Sequence, residues 1–237
     1  MANQTPYCST NSTSNDFDEI YLKFELVEFA QNPEPRCPCI LLLDTSSSMS
    51  GEPIEQLNKG LQEFKKQLMN DELAAKRVEV SVISFDSSVE VHNDFQTINS
   101  FNVPTLRPGG YTSMGKGIEV AINILKKRKK DYKDNGISYY RPWIFLITDG
   151  SPTDSIDNAI LKDHNGESKK EFAFFAVGVE GADIHTLNRI SDREALTLKG
   201  LNFTALFQWL SNSMCSVSRS TLDTEVVLES PKGWAKI

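Results

Sequence analysis

The chain has no apolar run near the length of about 20 residues that spans a bilayer, so no membrane-crossing helix is expected. Residues 1–18 are polar, without the basic-then-apolar pattern of a secretory leader. These two absences, with the initial Met, point to a cytoplasmic protein. Basic excess is also missing: the net charge is −7 and the pI about 5.1. An acidic chain is not built for general binding to nucleic acid or anionic membranes. Cysteine is sparse. Cys8, Cys37, Cys39 and Cys215 lack the spacing of a zinc knuckle or a disulfide framework, so buried free thiols are expected. His92, His164 and His185 are isolated and belong to no HExxH or triad-like neighbourhood.

The apolar run Cys39-Ile40-Leu41-Leu42-Leu43 ends abruptly in Asp44-Thr45-Ser46-Ser47-Ser48. Such a run reads as a buried strand that delivers oxygen ligands to a sheet edge. In doubly wound α/β domains that edge is where ligands bind. One carboxylate and two hydroxyls form a hard, oxygen-only set of low charge. It suits Mg²⁺ or Mn²⁺ and leaves the ion short of negative charge, which favours recognition of an acidic group over catalysis. Two further segments join it: the glycine-led loop Gly109-Gly110-Tyr111-Thr112-Ser113, and a second apolar strand, Ile144 to Ile147, ending in Thr148-Asp149-Gly150.

Strands alternate with helices along the chain. Strands are expected at Pro38–Leu43, Val78–Phe85, Trp143–Thr148, Glu171–Val179 and Ala195–Leu198, with a short antiparallel edge strand at Ser88–His92. Helices are expected after Gly51-Glu52-Pro53, at Gly115–Lys130, at Ser155–Asp163 with Asn165-Gly166 as its end, at Asp183–Ile190, and at Asn202–Cys215. This pattern predicts a doubly wound, mostly parallel central sheet with helices on both faces. The expected organisation is a disordered segment at 1–17, an extension with a strand at 18–34, the main domain at 35–219 and a tail at 220–237. The tail contains a possible strand at Glu225–Glu229, which could pair with Glu19–Phe29.

The motifs DxSxS, loop Thr and TDG, in this order, resemble the metal-ion-dependent adhesion site of von Willebrand factor A domains. The resemblance runs from about Pro35 to Arg219 and includes SGEPIEQLN, VISF and FFAVGV. It implies that Ser46, Ser48 and Thr112 bind the metal through hydroxyls, and that Asp44 and Asp149 act directly or through water. A partner's Asp or Glu would take a remaining position. Ser47 departs from the pattern, because Gly is usual there; a positive φ at that position would strain Ser. Asp154 reads as an outer ligand or as the N-cap of the following helix. Tyr111, beside Thr112, is a candidate partner anchor, or packs on Arg107 or Pro108.

Pro33-Glu34-Pro35-Arg36-Cys37-Pro38, SGEPIEQLN and the Gly-Trp-Ala ending are similar to the small bacterial proteins of the TerY type, associated with tellurium resistance and stress response. That likeness implies an adaptor working beside stress-response binding proteins or a phosphatase and kinase pair. A metal-dependent hydrolase or phosphatase is the rival reading. It is disfavoured because Ser46 stands where Asp-nucleophile phosphatases carry a second Asp, and no visible motif supplies a general base. A third is an extracellular adhesin, disfavoured by the lack of a leader pattern and by cysteines without a framework; a purely structural metal, with partner binding elsewhere, is a fourth. The basic run Lys126-Lys127-Arg128-Lys129-Lys130 is read as a solvated helix end, where cations complement the helix dipole. Trp234 is either a docking anchor on its own domain or a partner contact.

Overall fold

Eight consecutive residues, Cys37–Asp44, form β1, and every one of them is buried. A strand apolar on both sides needs cover on both sides. Cys37, Cys39, Leu41 and Leu43 point into one core, and Ile40 and Leu42 into the other. Each buried leucine contributes roughly 1.5–3 kcal/mol of burial free energy.

The computed structural model describes residues 29–236. The chain divides into two compact units, Met1–Pro33 and Glu34–Ile237. The segment 1–17 lies outside the described residues, as does the strand expected at Glu19–Phe29 except for its last residue, which belongs to a helical turn at 29–31.

The second unit holds seven strands: β1, β2 (Val78–Phe85), β3 (Val89–Thr97), β4 (Trp143–Thr148), β5 (Ala173–Gly178), β6 (Leu196–Leu198) and β7 (Ala235–Lys236). Their order across the sheet is β3-β2-β1-β4-β5-β6-β7. The five central strands are parallel. Both edges are antiparallel, β3 on β2 and β7 on β6. The doubly wound, mostly parallel sheet is therefore as expected, with a second antiparallel edge that the sequence did not suggest. Glu225–Glu229 forms no strand. The tail instead contributes β7, and Trp234 docks on its own domain, 2% exposed with its ring centroid 5.3 Å from that of Trp209.

Helices α1 (Glu52–Met69), α2 (Glu72–Arg77) and α6 (Phe203–Arg219) cover one face. The stripe Ile54, Leu57, Leu61, Phe64 and Leu68 faces inward as its spacing requires. Helices α3 (Met114–Asp134), α4 (Asp157–Ser168) and α5 (Ile184–Ile190) cover the other. Asp183 caps α5, its side chain accepting from the Thr186 amide. The α4 end differs from expectation, because the helix continues past Asn165-Gly166 to Ser168. Gly166 serves close packing there: a Cβ would stand 2.3 Å from the Phe172 ring.

Three polar features of the interior matter below. Glu79, near the start of β2, is fully buried. It accepts from Arg36 Nε at 2.7 Å, from Arg128 Nε and Nη2 at 3.0 and 2.9 Å, and from the Tyr132 hydroxyl. Arg128 thus leaves the solvated basic run to neutralise a carboxylate, a correction to the reading of all five residues as a wet helix end. Asp163 on α4 is also fully buried, and neither of its oxygens has a hydrogen-bond partner among the described residues. Burial first, then Asp192, pushes its carboxyl up to about 8, with Arg193 pulling the other way. Cys37 and Cys39 are buried free thiols on one face. Burial holds Cys37 above the usual thiol range and pushes Cys39 up to about 12, which keeps both protonated.

Candidate metal centre

β1 sits between β2 and β4. The chain runs outward one way from β1 to β2 and then crosses to β4 on the other side. The C-terminal ends of β1 and β4 therefore flank the point where strand order reverses, the usual ligand crevice of such sheets. Leu43 pairs with Ile147, so Asp44 and the Thr148-Asp149-Gly150 turn leave the sheet at one level.

Local hydrogen bonds set the first motif. The Ser46 amide donates to Asp44 Oδ1 at 2.7 Å, which folds DxSxS back over its own acid. The Ser46 and Ser48 hydroxyl oxygens stand 2.9 Å apart. Ser48 Oγ donates to Asp149 Oδ1 at 2.7 Å, joining the two strand ends. The Thr148 hydroxyl donates to Asp44 Oδ2. Ser47 has no positive φ; the positive-φ positions of this neighbourhood are Gly51 and Gly110. The departure from Gly at 47 therefore carries no backbone strain. Ser47 instead uses its amide and hydroxyl to hold Gly110 O, at 3.1 and 2.9 Å.

That contact positions the loop carrying Thr112. Gly110, at φ 71°, packs on Ser87, whose Oγ lies 2.4 Å from where a Cβ would be. The Tyr111 amide donates to the same Ser87 hydroxyl. Thr112 is buried at the base of the loop. Its amide donates to Thr153 Oγ1 at 3.1 Å, and its carbonyl accepts from the Thr153 amide at 2.9 Å. Asp154 does not cap the helix that follows it; α4 has Ile156 at its N-cap position, with no side-chain cap. Asp154 reaches across to α3 and accepts from the Gly115 and Lys116 amides at 3.0 and 2.9 Å. Both of its oxygens fix the start of α3, and so the Thr112 loop, against the turn after β4. Tyr111 is 71% exposed, which leaves most of its side chain to solvent at the rim of the cluster.

The test of convergence is Gly150. A Cβ built there would lie 3.5 Å from Thr112 Oγ1, 3.8 Å from Ser48 Oγ and 3.9 Å from Asp44 Oδ2. Three segments far apart in sequence thus aim oxygens at one small volume. Sequence reasoning placed Asp44, Ser46, Ser48, Thr112 and Asp149 here. It missed Thr148, which holds Asp44, and Gly150, whose missing side chain leaves the space. It also missed the clamp made by Asp154. Thr and Gly flanking the TDG acid were the available signal.

The electrostatics fit a cation. Burial raises the Asp44 carboxyl above its ordinary range, partly offset by hydrogen bonds from Thr148 and Ser46, with Asp149 adding to the rise. Burial also raises Asp149, against the Ser48 hydrogen bond. No Lys or Arg pairs with either acid among the described residues. Among those residues no group of three or more His, Cys, Asp or Glu is placed to hold a metal; the donors here are two carboxylates and three hydroxyls. Such a set is chemically suited to a hard divalent ion.

The fold and this strand-end cluster define a class, the doubly wound α/β domain with its ligand crevice at the switch point. The family profile of the von Willebrand factor type A domain matches residues 39–208, and the chain belongs to that family. No curated protein matches it. Among solved structures, it is similar to the pilus adhesin SpaC of Lactobacillus rhamnosus GG (12% identity, TM-score 0.61, covering 77% of this chain and 31% of that one). It is similar to proximal thread matrix protein 1 of the mussel byssus, solved with zinc in its metal-ion-dependent adhesion site (18%, TM-score 0.55, 77% and 48%). It is also similar to the von Willebrand domain of the type V pili tip protein Mfa5 of Porphyromonas gingivalis (12%, TM-score 0.57, 80% and 98%). The chain spans less than half the length of the first two. At these identities the likeness establishes the fold. Among the described residues, no helix is long and apolar enough to cross a membrane.

Proposed function

We propose that this chain is a protein-recognition domain in which Asp44, Ser46, Ser48, Thr112 and Asp149 hold Mg²⁺ or Mn²⁺ and a partner's acidic side chain completes the site. The observation that carries this reading is the convergence of Thr112, Ser48 and Asp44 oxygens on the space beside Gly150. The bound cation would supply a coordination position for a carboxylate. Three of the five donors would be neutral hydroxyls, and five side-chain donors would leave one position of an octahedral ion open to a further carboxylate. Thr148 and the Ser46 amide fix the Asp44 oxygens, and Asp154 fixes the loop that carries Thr112. Tyr111, exposed at the rim, offers an aromatic contact to the same partner.

The domain acts by binding and not by catalysis in this reading. Turnover of a phosphate ester in Mg²⁺ would overturn that. The adaptor setting, in a stress-response or tellurium-resistance pathway beside binding proteins or a phosphatase and kinase pair, rests on the TerY-type likeness of the segments around Pro33–Pro38, SGEPIEQLN and Gly-Trp-Ala. The test is retention of partner proteins on the tagged chain in Mg²⁺, in EDTA, and with Asp44→Ala. Partners held only by the wild-type chain in Mg²⁺ are expected. Retention indifferent to both treatments would sink the metal bridge.

A further inference from the structure

The last two turns of α3 carry Lys126, Lys129, Lys130 and Lys133, spaced by three, four and seven residues and therefore on one helix face. They line a surface groove of about 430 Å³ together with only Asp134 and Glu171. Two of the four are engaged. Lys130 pairs with Asp134 at 2.5 Å, and Lys129 donates to the Glu171 carbonyl at 3.1 Å. The ammonium groups of Lys126 and Lys133 have no hydrogen bond or ion pair among the described residues. Lys129, half-buried between them, is held below the usual ammonium range by burial, with Lys133 and Lys126 adding to that and Glu171 opposing it. Four ammonium groups against two carboxylates leave the groove positive on a chain whose net charge is −7.

Helix-dipole complementarity explains a cation or two at a helix C-terminus. It does not explain a half-buried lysine flanked one turn on each side by unpaired lysines over a concave surface. An anion seated in the groove would relieve their mutual repulsion. The size selects which anion. Lys126 to Lys133 spans roughly 10 Å along the helix, enough for one phosphate and its immediate surroundings. A nucleic-acid strand needs a row of phosphate contacts, and the acidic remainder of the chain repels polyanions.

We propose that this groove is a phosphate-monoester site, in which Lys126, Lys129 and Lys133 bind one dianionic phosphate, free or carried on a protein side chain. It is separate from the proposed metal centre: Lys129 lies 15 residues beyond Met114, the start of α3, roughly 22 Å along the helix. It does not depend on the function proposed above.

The experiment is calorimetric titration of the full chain, in EDTA at low ionic strength, with inorganic phosphate and with a phosphoserine peptide beside its unphosphorylated form. Saturable binding of one phosphate is expected. It should weaken about tenfold in Lys126→Gln or Lys133→Gln, as for loss of one charge-assisted hydrogen bond, and survive in Lys126→Arg/Lys133→Arg. Circular dichroism checks that the variants fold. Tighter binding of the phosphopeptide identifies a protein side chain as the source; equal binding identifies the free ion. No saturable binding, binding unchanged in the glutamine variants, or equal uptake of single-stranded DNA and the unphosphorylated peptide would overturn the proposal.

Discussion

The same sheet buries carboxylates at both of its ends, and the two are treated oppositely. Glu79, at the N-terminal end of β2, meets two guanidinium groups and a phenol. Asp44, at the C-terminal end of β1, meets hydroxyls and one amide, with a second acid beside it and no cation among the described residues. Burying a charge is tolerable only with compensation. At Glu79 the compensation is covalently part of the chain, so that end is finished when folding is finished. At Asp44 the described residues supply hydrogen bonds but no cation, which is the need the proposed metal would meet. The contrast supports the proposed assignment of the two ends, one to structure and one to binding, on grounds independent of the sequence motifs.

Glu79→Ala should give the largest effect. It removes the carboxylate that the buried Arg36 and Arg128 share and should cost about 3–5 kcal/mol in denaturant unfolding. A loss under 1 kcal/mol would erase the distinction between the two ends. Asp163 is a third case, an acid that keeps a proton because burial, with Asp192 adding to it, penalises its charged form. Its folded value, about 8, lies above the unfolded one near 3.8. The unfolded chain therefore holds fewer protons between those values, and stability falls as pH rises through that window. Asp163→Asn should remove this slope. It should change little at pH 4 and stabilise the protein at pH 9 by on the order of a few kcal/mol. An unchanged pH slope would show that Asp163 is solvated or paired in solution.

Magnesium comes next. At about 100 times its Kd it should stabilise the wild type by about 2.7 kcal/mol, worth roughly 2–4 °C of Tm per kcal/mol in a domain of this size. Asp44→Asn should lose that gain while unfolding no earlier than wild type in EDTA, since it removes an uncompensated charge. Acid should weaken the magnesium effect at a higher pH than for an ordinary aspartate, because the folded Asp44 and Asp149 carboxyls are both raised and protons compete sooner. The smallest change is Ser47→Gly. With no positive φ to relieve, it should cost about 0.5–1 kcal/mol through the lost hydrogen bond to Gly110 and greater freedom of the unfolded chain. A stabilising result would mean that position 47 is strained after all.

The sequence was most readable where a segment's own pattern decides its structure. Val78–Phe85 and Trp143–Thr148 are strands with the expected bounds, because their apolar character and flanking breakers act locally. The gathering of Asp44, Ser48 and Thr112 oxygens was readable for the same reason, since the two acids of the cluster sit at the ends of such runs. Contacts between distant segments were not. Asp154 precedes a helix and looks like its cap, yet its oxygens are claimed by α3, 38 to 39 positions earlier in the chain. Gly166 has the character of a stop, but the ring of Phe172 is what demands it. Arg128 sits in a run of lysines, and only the three-dimensional position of Glu79 distinguishes it. β7 is two residues long, too short for any periodicity.

Those two residues, with Trp234 before them, have a consequence for how copies of the chain meet. A sheet with open sides invites strand-to-strand growth. Here one side ends in β3, whose pairing with β2 slips in register twice around Val82, so it offers a poor template. The other side would end in β6, with Leu196 and Leu198 in a straight run, had the tail not laid Ala235 and Lys236 along it. The Ala235–Lys236 strand thus shields this flank from strand-to-strand pairing. A chain cut before Pro231 would keep Asp44, Ser46, Ser48, Thr112 and Asp149 while leaving the outer side of β6 unpaired.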